Sequence, residues 1–244
     1  MRNPHRTRVE KRDHNVDVDQ IGASVTITVG LALFGTRTQP KKGVQMHSRV
    51  LTFTDAKNIE GGVDFLRQKV VPVLNDQKGY RGVTASADRS GGLIGILTLW
   101  ETAADREASE SALAKSRQEG LDIIGGKLSV ELFEELLAEV ADPPGPGSAL
   151  MVTRISMDPA KIDENFAFFK STVLPRMKAN AGFQSVRNMM DRKTGSGLVG
   201  TVWANQDAMK AAAADALSRR EEGVARGVSF GDLSYREILF VDLR

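Results

Sequence analysis

The chain has 244 residues, 41% hydrophobic and 26% charged, the balance of a soluble globular protein with room for one large or two small domains. It has no cysteine, which excludes disulfides, thiolate metal sites and cysteine nucleophiles, and its three histidines, His5, His14 and His47, lie at or before the first plausible strand and make no histidine-rich metal site. The net charge of +2 is lopsided: residues 1–46 hold eight Lys/Arg and four Asp/Glu, the rest 25 and 27, so the body lacks the basic stripe that nucleic-acid binding needs.

Residues 1–20 are charged and without apolar periodicity, and read as disordered. The apolar run "IGASVTITVGLALFG" follows acidic Glu10, Asp13, Asp17 and Asp19, and no small-x-small cleavage site comes after it, so it is not read as a signal peptide. It is also shorter than the ~20 residues a membrane span requires. Residues 1–46 are therefore taken as an extension outside the fold, with Met46 opening the body, and the protein as cytoplasmic and without a membrane partner.

In the body, "RVLTFT" reads as a strand, and Ile59, Val63, Leu66 and Val70 then fall at helical spacing. Pro72 lies late in that helix, where it costs ~3 kcal/mol in an unbroken turn, so the reading bends the last turn before Gly79. "YRGVTASAD", the turn "DRSGG" and "LIGILTLW" read as a hairpin. Thr102 is a good N-cap for a helix expected to run to Gly120. The segment "SVELFEELLAEV" passes for a helix by itself.

The same order then recurs. Displaced by 103 residues, segment 55–120 aligns with 158–223 without a gap, and 16 of 66 pairs are identical, among them Pro72/Pro175, Gly79/Gly182, Asp88/Asp191 and Trp100/Trp203. The second copy settles the ambiguous segment: "SYREILFVDL" reads as a strand, so both are strands. Each copy is β-α-β-β-α-β, the ferredoxin-like unit. The expected fold class is α+β, with a first repeat at 47–140, a Pro/Gly linker "ADPPGPGSA" at 141–149 and a second repeat at 150–244.

The element order, the proline before Gly-aromatic ("PVLNDQKGY", "PRMKANAGF") and the tryptophan closing the third strand ("LTLWETAAD", "GTVWANQDA") resemble the dimeric α/β-barrel superfamily, in particular its antibiotic-biosynthesis-monooxygenase-like domains. The resemblance covers about 47–244 and implies two ferredoxin-like units packed sheet to sheet, here as a pseudo-dimer within one chain that can assemble further. It also implies a cofactor-independent oxygenase acting on a small aromatic molecule; the alternative is a non-catalytic ligand-binding or stress-associated barrel. Haem degradation is not expected, because the second helix of each copy lacks the ligand histidine. No cofactor or metal is expected.

The candidate substrate-binding residues are Trp203, Arg187, Asn188, Phe183, Trp100 and Tyr80; no residue is assigned a catalytic role. Neighbours Arg187 and Asn188 must point to opposite faces of their strand. The first copy has Thr84 and Ala85 there, and Val63 and Leu66 where the second has Phe166 and Phe169, so the second copy is the better candidate. Both tryptophans have a competing role as core under the following helix. "GSGLVG" matches a dinucleotide fingerprint but leads into a strand, so it is discarded.

Overall fold

The computed structural model describes residues 45–244. The expected extension, 1–46, lies outside the described residues except for Gln45 and Met46.

The first half runs β1 (His47–Thr54), α1 (Ile59–Phe65), α2 (Val71–Asn75), β2 (Tyr80–Asp88), β3 (Leu93–Trp100), α3 (Ala103–Ala108), α4 (Glu110–Ile124) and β4 (Lys127–Val140). The second runs β5 (Ala149–Ser156), α5 (Ile162–Phe168), α6 (Leu174–Ala179), β6 (Phe183–Met190), β7 (Ser196–Trp203), α7 (Gln206–Ala225) and β8 (Ser229–Leu243). All eight strands join in one closed antiparallel barrel, in the order β1-β3-β2-β8-β5-β7-β6-β4. The fold is thus α+β, two ferredoxin-like units forming an intramolecular dimeric α/β barrel.

The long last strands close it. β4 pairs with β1 over its first part and with β6 from Glu134 to Val140, and β8 likewise passes from β5 to β2. Each half therefore lends its last strand to the other, and no sheet edge is left open. Inside lie Val50, Leu97, Phe133, Leu150, Val152, Met189 and Leu198, drawn from both halves. Arg187 pairs there with Glu135, and Arg154 pairs bidentately with Glu131 at 2.7 Å. Arg236, also inside, is pushed down to about 10, first by burial and then by Arg154.

The helices cover the outside. The proline does not merely bend a turn. Leu66–Val70 and Phe169–Val173 are π-helical turns, in which the Val71 and Leu174 N–H groups bond to carbonyls five residues back, at Leu66 and Phe169. The widened turn keeps each proline ring clear of the carbonyl it would strike in an α-helix, and puts Pro72 and Pro175 at the start of a fresh segment. Gly79 and Gly182 then take φ of 72° and 77°, as the glycine stop requires.

Two expectations about the second helices need correction. Gly120 and Gly223 do not end them; α4 continues to Ile124 and α7 to Ala225. A Cβ on Gly223 would lie 2.8 Å from Phe230, so that glycine lets the helix approach β8. The first-half helix is also broken at Ser109, whose hydroxyl donates to the Arg106 carbonyl while accepting from Arg49 Nη1.

Candidate site between sheet and helices of the second half

In each half the sheet's outer face and the covering helices leave a pocket. In the first half it holds about 560 Å³, and in the second about 890 Å³, open solvent at the mouth included. Residue exchanges explain the difference. On the first sheet Arg49 pairs with Thr98; Met151 faces Thr201 in the same way on the second, so an arginine becomes a shorter apolar chain. Leu113 becomes Ala216 at the 103-residue displacement. Ile124 is 1% exposed and presses on Gly62, where a Cβ would lie 2.5 Å away, whereas the second half has Asn165 at the glycine's place.

The second pocket is walled by Phe166, Phe168, Phe169 and Phe230. Its π-helical turn places Phe169 and Val173 on the lining. A wide turn at a pocket wall is a common feature of functional helices. An aromatic wall with few polar groups suits a flat apolar molecule.

Asn188 is the polar group of the floor. It is 5% exposed, its Oδ1 is buried and without a hydrogen-bond partner, and it lines the pocket. On the helix side stand Arg219, buried, and Arg220, half-buried with its guanidinium 5.6 Å from the Phe230 ring centroid. Thr153, Asn165 and Thr201 complete the polar part of the lining. Sequence reasoning missed Arg219, Arg220, Thr153 and Asn165. The signal for Arg220 was present: Arg117, its counterpart, is held by both carboxylate oxygens of Glu110, while the second copy has Ala213 in that glutamate's place.

Of the six candidate residues, Asn188 alone is on this lining. Arg187 faces the barrel interior, as alternation requires, and is held by Glu135. Trp203 is 0% exposed, donates its indole N–H to Thr201 Oγ1 at 3.2 Å, and meets Phe183 edge-on at 5.6 Å. Trp100 repeats this with Thr98 at 3.1 Å and Tyr80 at 5.6 Å. Each tryptophan is thus spent on a core contact behind its pocket. Tyr80 is buried with its hydroxyl unpaired, and burial pushes its phenol well above the ordinary value. It lines neither pocket. "GSGLVG" leads into β7, not a helix.

Among the described residues no group of His, Asp or Glu could hold a metal ion, and no helix is long and apolar enough to cross a membrane.

No family model matches the chain. In solved structures the barrel is similar to an anthrone oxidase-like protein, with TM-score 0.61 and 13% identity, covering 83% of this chain and 94% of that one. The chain has the dimeric α/β-barrel fold. A candidate monooxygenase from Fusobacterium nucleatum shares the dimeric α/β barrel at TM-score 0.59 and 12% identity, covering 83% of this chain and 96% of that one. Sequence relatives include an uncharacterised protein of Mycobacterium tuberculosis, 27% identical over 189 residues, which are 75% of this chain and 84% of the relative. A second uncharacterised protein of the same organism is 26% identical over 134 residues, 55% of this chain and 57% of that relative.

Proposed function

We propose that the chain binds a small aromatic molecule in the second-half pocket and is an antibiotic-biosynthesis-monooxygenase-like, cofactor-independent oxygenase. The observation that carries this reading is the phenylalanine-walled pocket with Asn188 at its floor and two arginines at its helix side. A phenol or anthrone bound there loses a proton more readily beside Arg219 and Arg220, because a nearby cation favours the anion. The anion is the electron donor: an anthrone methylene and O2 give a quinone carbonyl and water. The likeness to an anthrone oxidase-like protein supports the substrate class. The repeats 47–140 and 150–244, their linker at 141–149, the cytoplasmic location and the capacity for further self-assembly belong to the same proposal.

The second reading is a non-catalytic ligand-binding barrel. It is favoured by a lining that has no Asp, Glu, His or Tyr among the described residues, hence no obvious general base. Oxygen uptake with a panel of anthrones and hydroquinones, run beside calorimetric binding of the same compounds, tests both. Uptake supports the oxygenase, binding without uptake supports the second reading, and neither removes both.

A further inference from the structure

The second pocket pairs an unanswered acceptor with an unanswered cation. Asn188 Oδ1 is buried and has no partner, and a buried acceptor left so is costly unless a donor arrives. Arg220 makes no ion pair among the described residues; its guanidinium lies over the face of Phe230. The first half shows how the same positions look when they are closed. Ala85 stands where Asn188 does, each facing its third strand at equivalent places, Ile96 and Val199. Arg117 stands where Arg220 does, and Glu110 neutralises it through two hydrogen bonds. Arg49 also reaches Glu110, at 3.0 Å. The second half has lost that glutamate to Ala213 and that arginine to Met151, and has gained an asparagine. The exchanges that widen the pocket thus also leave on its lining one buried acceptor without a donor and one positive charge without a carboxylate among the described residues.

We propose that this pocket selects aromatic molecules bearing both a hydroxyl group and a carboxylate or similar anion, the hydroxyl donating to Asn188 Oδ1 and the anion meeting Arg220. The inference rests on the reading of the pocket as a small-molecule site and names its substrate class. The Phe166, Phe168 and Phe169 wall takes the ring system. A buried acceptor without a partner discriminates in favour of a ligand with the hydroxyl, since only that ligand brings the donor Oδ1 lacks. A guanidinium with no carboxylate of its own favours an anionic ligand over its neutral analogue.

The probes are 6-hydroxy-2-naphthoate, 2-naphthoate and 2-naphthol, titrated calorimetrically into the full chain. The hydroxynaphthoate should bind about tenfold tighter than either compound lacking one group, the size of one hydrogen bond or one charge contact. Asn188→Leu should bring the hydroxynaphthoate/naphthoate ratio to about one and leave the hydroxynaphthoate/naphthol ratio intact. Arg220→Gln should do the reverse. Urea midpoints of both variants establish folding, and Asn188→Ser, which keeps an acceptor, should retain part of the hydroxyl preference. Equal wild-type affinity for all three probes, or ratios unmoved by the variants, overturns the selectivity while leaving the pocket as an aromatic site. Absence of binding by every probe removes that underlying reading and the selectivity with it.

Discussion

Asn188 holds on β6 the place that Ala85 holds on β2, and this exchange puts an amide with a partnerless oxygen under the helices of one half only. An orphaned buried acceptor costs about 1–3 kcal/mol. Asn188→Leu should therefore leave the ligand-free protein as stable as before or more so, by ~1 kcal/mol, in urea unfolding. A clear loss of stability would show that the amide is satisfied in the folded chain.

Refilling the second pocket should abolish its use without harming the fold. Ala216→Leu restores the residue of the first half, Leu113, which is 6% exposed in the first-half core. The expected result is an unchanged or raised melting temperature together with at least about tenfold weaker binding of aromatic probes, because a leucine displaces volume the ligand needs. Thermal melts and calorimetry on the same preparation check it.

The tryptophans should behave as core. Trp203→Ala removes a side chain that is 0% exposed and should cost ~3–5 kcal/mol in urea unfolding. Trp203→Phe should keep most of the stability and leave probe affinity near wild type. A loss of affinity without a loss of stability would move Trp203 into the site.

Within the barrel, Glu135 is almost fully buried and holds Arg187. Glu135→Gln takes away the carboxylate that holds that guanidinium and should cost roughly 3 kcal/mol, whereas the double variant Glu135→Leu/Arg187→Met should recover most of the loss. The double-mutant cycle in urea separates the two.

Acid should weaken the fold through its hairpin turns. The Asp88 carboxyl is held below its ordinary value by the Ser90 hydroxyl first and the Gly91 N–H second, and Asp191 by the Lys193 N–H and the Thr194 hydroxyl. Their folded values lie under the unfolded value of 3.8, so the stability they add is full above it and is lost as pH falls through the folded values. Asp191→Asn should flatten the fall of the stability curve as pH drops below the unfolded value of 3.8, and an unaltered slope would assign acid sensitivity elsewhere.

Much of this architecture is legible in the residues. A 103-residue register with matched prolines, glycines and tryptophans fixes the element order, because turn and cap residues act locally and side-chain periodicity assigns each strand its two faces. The opposite orientation of Arg187 and Asn188 follows from the period of a strand alone. Local rules do not say what meets a side chain across the fold. That Trp203 turns to Phe183 and Thr201 instead of a ligand, that β4 and β8 cross to the other half, and that each proline follows a π-helical turn were decided by packing. The same holds for Arg220: the change of Glu110 to Ala213 stands in the sequence, but only the folded helix places that glutamate against Arg117 and so reveals what its loss leaves unneutralised.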